Sequence, residues 1–461
     1  MTALRPDLIR TELRLTGTLA GVFALRMFGL FMLLPVFAVY GSGLSGANPL
    51  LIGTAIGIYG LMQALLQIPF GALSDRIGRR PVIIGGLVLF VLGGAVAAQA
   101  ETIYGVILGR AVQGAGAIAS VIMAMVSDVV SEQHRTRAMA ALGMSIGASF
   151  MLALILGPLL AEWLGLAGLF WLSAVLGLAA LLLVLAWVPA VRVANRRAAL
   201  GRRERFRRIF ASADMMRLNV GILTLHLVLT ALFVVVPVRL GDELGLPLAQ
   251  HSLLYLGVLI GSFVLMVPLI IAAERRGVRR VKLIAIGLVA LAMVGLLAAG
   301  PVLWQFALVL LVFFVGFNVL EALLPSLAGR LAPAATRGTA MGVYSTFQFL
   351  GVFLGAQLAG LMLQWTGMAA VVWCCLLLLV GWWWVVWQMR EPVRFETRML
   401  ALPEEGGRRP DWQSRLLAVK GVIEVVVVPE EYMALVKIDP ASLDQGALEH
   451  CIGYDAGLTQ T

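Results

Sequence analysis

What most constrains this chain is a rhythm. Apolar stretches of about twenty residues, the length a helix needs to cross about 30 Å of hydrocarbon, alternate with short breaks that hold most of the charge. Twelve such runs are read: Thr16 to Tyr40, Leu50 to Leu73, Val82 to Ala98, Ile103 to Ser127, Ala138 to Ala161, Leu166 to Val188, Leu218 to Val238, Ser252 to Ala273, Leu283 to Ala299, Val302 to Ala328, Thr339 to Leu363 and Met368 to Met389. Lipid offers no partner to an unpaired backbone N–H or C=O, so runs of this length are expected to be helices. Hydrophobic residues make up 61% of the sequence and charged ones 13%, against about 45–50% apolar in soluble domains. That balance excludes an ordinary soluble protein. The first run has no convincing cleavage site and is expected to be retained.

The breaks themselves alternate. Those after runs 1, 3, 5, 9 and 11 carry essentially no Lys or Arg, and the one after run 7 carries only Arg239. The others hold Arg76, Arg79 and Arg80, then Arg135 and Arg137, an arginine-rich central segment, Arg275, Arg276, Arg279 and Arg280, and finally Arg330 and Arg337. The positive-inside rule puts these breaks, and with them both termini, in the cytoplasm. A net charge of +10 would suit nucleic acid if it gathered on one face; scattered through the breaks it sets topology, and no nucleic-acid partner is expected.

The central break divides the runs six and six and contains GRRERFRR. It reads as a hinge on the anionic leaflet. The halves echo each other. PFGALSDRIGRRPVIIGG returns 199 residues later as PLIIAAERRGVRRVKLIAIG, matching Pro69, Asp75, Arg76 and Gly78 to Pro268, Glu274, Arg275 and Gly277, and TRAMAALG at Thr136 matches TRGTAMG at Thr336. Two similar six-helix halves form the architecture of a rocking transporter, with the substrate path between them near the bilayer midplane. The expected organisation is a first half over 1–190, a basic linker over 191–217, a second half over 218–390 and a tail over 391–461.

In the tail, RFETRMLAL, GVIEVVVVP and YMALVKID read as strands, while PDWQSRLLAVKG and SLDQGALEHCIG read as helices. That β-α-β-β-α order fits a small α+β ferredoxin-like domain without a clear final strand. Its outline resembles heavy-metal-associated domains but lacks their paired cysteines, so Cys451 and His450 are not expected to hold a metal. Cys374 and Cys375 are adjacent inside an apolar run, which gives no disulfide framework or ligand spacing. No G-x-x-x-x-G-K-[ST] occurs, so neither ATP nor another cofactor is expected to drive the chain.

The break from Pro69 to Pro81, PFGALSDRIGRRP, packs glycines, a carboxylate and three arginines between two apolar runs. Topology alone explains its arginines but not Asp75, Gly71 or Gly78. These residues, with Leu73, Arg76, Arg79 and Arg80, match G-x-L-x-D-R-x-G-R-R and resemble motif A of the major facilitator superfamily. The resemblance implies a latch in which Asp75 and Arg76 hold the halves together on the cytoplasmic side, against the start of the eleventh helix after Arg337. Asp128 is expected to join that latch, and the degenerate twin at Glu274 to contribute less.

RAVQGAGAIAS is similar to the superfamily's motif B at Arg110, Gln113, Gly114 and Gly116, and small-residue packing around a snorkelling arginine describes it equally. Gly157 and Pro158 match the heart of the antiporters' motif C, but Ala161 and Glu162 stand where two glycines usually follow. A local kink is the other reading. The resemblance spans nearly the whole chain, tail included. It implies twelve transmembrane helices in the major facilitator fold, a multi-pass bacterial inner-membrane protein, a monomeric transport unit, and a proton-driven exporter rather than an enzyme.

Ionisable groups at membrane depth cost about 2.5–3.5 kcal/mol each to insert and mark function by default. Arg26, His226 and Glu321 are three of these. In the superfamily fold, helices 1, 4, 7 and 10 line the cavity, so all three could face it. An imidazole and a carboxylate suit proton loading, with Arg26 pairing with Glu321 or holding an anion; static structural pairing is the alternative for each. Tyr59, Gln63 and Gln67 share one stripe, Asn318 lies one turn before Glu321, and Tyr344 with Gln348 share a face. They are candidate substrate contacts or interhelical hydrogen bonds. The chain therefore reads as a proton-coupled secondary transporter, an antiporter exporting small apolar or cationic compounds. Uptake of a small metabolite, or a sensor whose tail binds a ligand, are the competing readings.

Overall fold

A computed structural model describes residues 6–130, 132–189, 202–332, 337–389, 396–402, 412–428, 433–439 and 442–452. The apolar runs become α1 (Pro6–Phe31) with the short α2 (Phe37–Tyr40), α3 (Pro49–Ile77), α4 (Arg79–Ala98), α5 (Ile103–Ala115) with α6 (Ala119–Val129), α7 (Glu132–Trp187), α9 (Ala213–Asp242), α10 (Leu248–Arg276), α11 (Val278–Ala298), α12 (Leu303–Leu331), α13 (Arg337–Trp365) and α14 (Met368–Trp387); α8 (Arg202–Ala211) lies in the basic linker. Eleven helices among the described residues are long and apolar enough to cross a membrane. The longest, α7, counts twice. Its 56 residues contain one non-helical position, Gly165 at φ 67° and ψ −179°, where the fifth crossing turns into the sixth. Twelve crossings result.

Two runs differ from expectation. The first is not one helix, because α1 stops at Phe31 and the chain turns before Phe37, with Pro35 in the turn. The fourth breaks between α5 and α6, at Gly116, Ala117 and Ile118. An ideal Cβ on Gly116 would lie 2.2 Å from the Gly86 carbonyl oxygen, so only a glycine lets α4 come this close. The internal repeat persists in the backbone: Gly78 (φ 98°) and Gly277 (φ 100°) each take a conformation L side chains rarely adopt, and each caps the helix that follows.

The two halves zip together at the arginine-poor end. Along α3 and α13, a Cβ on Gly53 would lie 2.3 Å from the Ala356 carbonyl oxygen, on Gly60 2.7 Å from that of Phe349, and on Gly360 2.5 Å from that of Pro49. Thr54 and Gln357 hydrogen-bond across the seam, with the Gln357 amide donating to Thr54 Oγ1 at 3.0 Å, and the Leu50 amide donates to Gln364 Oε1. Toward the arginine-rich end this contact is lost. Leu65, Leu73 and Ile77 of α3 are exposed, and a Cβ on Gly338 or Gly342 of α13 would meet nothing within 4 Å.

The tail is a separate compact unit. Strands β1 (Glu396–Ala401), β2 (Val422–Val428) and β3 (Met433–Ile438) with helices α15 (Trp412–Leu417) and α16 (Gln445–Ile452) give the expected β-α-β-β-α order. The sheet runs β1-β3-β2, with β3 antiparallel to both neighbours. This is a split β-α-β unit. Trp412, Leu416, Val425, Ala434, Val436, Ile438 and Leu448 form its core.

Candidate functional site

In the first half the polar side chains interlock. Arg26 is fully buried, and its Nη2 donates to Tyr59 Oη at 2.8 Å and to the Gly116 carbonyl oxygen at 2.9 Å. The helix break supplies that second acceptor, since Gly116 O bonds Ile118 N instead of closing a regular turn. Arg110 lies over the Tyr59 ring, 5.1 Å from its centroid, and donates to Gln113 Oε1 and to the Ala55 carbonyl oxygen. Gln113 in turn donates to Ser173, and a Cβ on Gly114 would strike the Tyr59 carbonyl at 2.6 Å. The motif B residues thus build a buried joint between α3, α5 and α7.

Tyr59 and Gln63 are buried in that joint, and Gln67, one turn on, is buried with its side-chain amide unpaired among the described residues. Gln63 donates to Gly114 O at 2.8 Å. The expected pairing of Arg26 with Glu321 is corrected: Arg26 Nη2 bonds Tyr59 and Gly116 in its own half, its Nε and Nη1 have no hydrogen-bond partner among the described residues, and Glu321 faces Gln348 and His226. Gly157 permits another close approach, its ideal Cβ falling 2.6 Å from the Met32 carbonyl oxygen, and Pro158 follows it inside α7.

The second half brings four of the sequence candidates together. Gln348 of α13 stands between His226 of α9 and Glu321 of α12, its Nε2 2.9 Å from His226 Nε2 and 3.3 Å from Glu321 Oε1. His226 Nδ1 is 3.2 Å from the Ile222 carbonyl oxygen, and only an N–H can satisfy that carbonyl. Nδ1 therefore carries the proton in the neutral ring, and Nε2 accepts from the Gln348 amide. Glu321 Oε2 is 3.8 Å from His226 Nε2 and is buried without a hydrogen-bond partner. Tyr344, one turn before Gln348, lies buried within electrostatic reach of Glu321. Two atoms of the cluster have the lone pairs to accept a proton, His226 Nε2 and Glu321 Oε2, and the Gln348 amide lies between the two side chains. Asn318 points elsewhere and donates to Ser262 Oγ at 3.0 Å.

At the arginine-rich end, Arg79 sits between two carboxylates, 2.6 Å from Asp75 and 3.0 Å from Asp128. It also donates to Ser74 Oγ. Arg80 donates to the Leu185 carbonyl oxygen, and a Cβ on Gly71 would come 3.5 Å from Ser120. Asp75 remains 57% exposed and Arg76 is exposed. The Asp75 ion pair lies within the first half, and the Arg337 side chain, its expected neighbour across the seam, falls outside the described residues.

Sequence reading missed the aromatic rings around this site. Phe317, one turn before Glu321, packs on His226 with centroids 5.9 Å apart and on Phe150 at 6.2 Å. Phenylalanines in an apolar run carry no mark separating them from lipid-facing ones. The spacing of Phe317 to Glu321, four residues, was the available signal.

The Major Facilitator Superfamily model matches residues 19–356 and 218–414, and the chain belongs to that family of membrane transporters. It is similar to the inner membrane transport protein YajR of Escherichia coli (strain K12), 43% identical over 444 residues that cover 96% of this chain and 97% of that protein. The tail matches the YajR YAM domain over residues 399–452. A more distant relative is the multidrug resistance protein MdtH of Cronobacter sakazakii, 28% identical over 72% of this chain and 81% of its own length. Among solved structures, a D-xylose-proton symporter shares the fold at TM-score 0.64 and 17% identity, covering 82% of this chain and 97% of its own.

Proposed function

We propose that this transporter is a proton-coupled antiporter that exports small apolar or cationic compounds by alternating access, with Glu321 and His226 carrying the proton. The observation that carries the reading is the cluster of Glu321, Gln348 and His226 at membrane depth, where a carboxylate oxygen has no partner of its own. That oxygen is open to a proton without breaking an existing hydrogen bond. Glu321 lies ten residues before the end of α12 at Leu331, about 15 Å at 1.5 Å per residue, and its side chain is 38% exposed. If the arginine-rich end faces the cytoplasm, the structure is an inward-facing state whose carboxylate trades protons with that side.

Export is favoured over anion uptake because Arg26 is fully buried, with Nη2 on Tyr59 and Gly116 and its other two nitrogens shut away without a hydrogen-bond partner among the described residues, while the more open ionisable group is an acid. The multidrug name of the MdtH relative agrees with a cationic or apolar cargo. In this scheme Arg79, Asp75 and Asp128 form the latch of the cytoplasmic side, re-forming across the seam when the carrier turns outward. The test is ethidium, a lipophilic cation, in proteoliposomes with a trapped pH dye. Ethidium movement by the parent protein should dissipate an imposed pH gradient, and Glu321→Gln should leave ethidium exchange without proton movement. Unchanged proton movement in Glu321→Gln would end the assignment.

A further inference from the structure

The ring that touches the imidazole of the proton cluster is also a ring that touches the other half. Phe317 of α12 is 4% exposed. It contacts His226 of α9 at 5.9 Å and 62° and, on another side, Phe150 of α7 at 6.2 Å and 33°. Phe150 contacts Phe31 of α1 edge-on at 5.1 Å. Phe31 and Phe150 belong to the first half, Phe317 and His226 to the second. All three centroid distances fall within the range in which aromatic pairs attract. Phe317 is further held by Phe313 and Phe314, so it moves with α12 and not as a free rotor.

An aromatic ring responds to charge. Its quadrupole attracts a cation over the face and repels one at the edge, so a ring beside an imidazole meets a different neighbour once that imidazole is charged. We propose that Phe317 is a positioning residue that links the protonation state of the Glu321, Gln348 and His226 cluster to the contact between the halves through Phe150. The proposal rests on the proton role given to the cluster. The titratable groups facing that cluster are Glu321 from α12, His226 from α9 and Tyr344 from α13, while α7 and α1 present Phe150 and Phe31. Tyr255 and His251 of α10 stand one and two rings further along, beyond Phe314 and Phe233.

The consequence is a division of labour. Glu321 and His226 hold the proton, and Phe317 makes that event matter to helices that never touch it. Leucine at 317 keeps the apolar bulk and removes the quadrupole, so a packing role survives the change and a linking role does not.

The experiment uses the full chain with its three cysteines replaced by serine, and spin labels at Arg137→Cys and Arg280→Cys, one in each half at the arginine-rich end. Distance distributions are recorded between about pH 5.5 and 8.5, a window that brackets the ordinary imidazole value of about 6.5. The parent should shift between a longer and a shorter population. Phe317→Leu and Phe150→Leu should each flatten that shift about fivefold or more, the low end of usual couplings between sites, and Phe317→Tyr should restore it. A Phe317→Leu protein that keeps the parent shift overturns the link, as does a parent that shows no shift. Glu321→Gln separates the levels. If Glu321→Gln loses the shift while Phe317→Leu keeps it, the aromatic link alone fails; if Glu321→Gln keeps it, the proton assignment fails and takes the link with it.

Discussion

Alanine at Gly53 offers a measurable test of how the halves close. The added methyl would sit 2.3 Å from the Ala356 carbonyl oxygen, about 1 Å inside ordinary contact, and both partners are helix backbone that cannot rotate away. Overpacking of this kind costs about 1–3 kcal/mol. The gain in helix propensity on losing a glycine, about 0.8–1.0 kcal/mol, acts in open and closed states alike and cancels from their ratio. A penalty near 2 kcal/mol that exists only in the closed seam should therefore move the open-to-closed ratio about thirtyfold. Spin labels at Glu101→Cys and Thr366→Cys, one on each half at the arginine-poor end, would read that ratio directly. Two controls grade the effect: Gly57→Ala, whose nearest atom is at 3.0 Å, should shift it less, and Gly17→Ala, with nothing within 4 Å, should not shift it. A Gly53→Ala distribution identical to the parent would refute the claim that this seam limits opening.

Further expectations follow from the buried polar groups. Arg26→Ala should lower stability by about 3–5 kcal/mol, because it opens a cavity and strands Tyr59, whereas Arg26→Met, similar in length and apolar, should cost far less; thermal unfolding in detergent separates the two. Arg79→Ala leaves Asp75 and Asp128 facing each other without their shared cation, and should favour the state in which the arginine-rich end is open, read as increased labelling of Gly342→Cys by a membrane-impermeant thiol reagent. In the tail, Leu416→Ala should cost about 2–5 kcal/mol, since Leu416 is fully buried in a small core, and circular dichroism of the β-rich tail signal would follow it.

Much of this architecture was legible from the sequence because the physics was one-dimensional. Run length reports membrane thickness, and the order of elements in the tail follows from apolar periodicity, so the crossings and the β-α-β-β-α order could be read directly. The helix break at Gly116 could not, since its cause is a carbonyl on α4 that comes within reach only after folding. The same holds for Gln348. It was grouped with Tyr344 by spacing along one face, yet its part in the site comes from His226 and Glu321, 122 and 27 residues away. Tyr59 and Gln63 show what spacing alone leaves out: their stripe was visible in the sequence, but their bonds to Arg26 and the Gly114 carbonyl come from other helices, while the buried Gln67 amide has no partner among the described residues.

Arg26 and Arg110 carry one consequence beyond the joint they build. Both are buried, and no Asp or Glu is buried with them among the described residues, so the first half holds two fixed positive charges inside the span of the membrane. A charge that crosses the full membrane potential exchanges about 2.3 kcal/mol per 100 mV. If rocking carries these two through even a tenth to a fifth of the field, the equilibrium between the carrier's states moves by about 0.5–1 kcal/mol per 100 mV. The resting voltage of the cell would then bias which way the carrier faces, before any substrate or proton has bound.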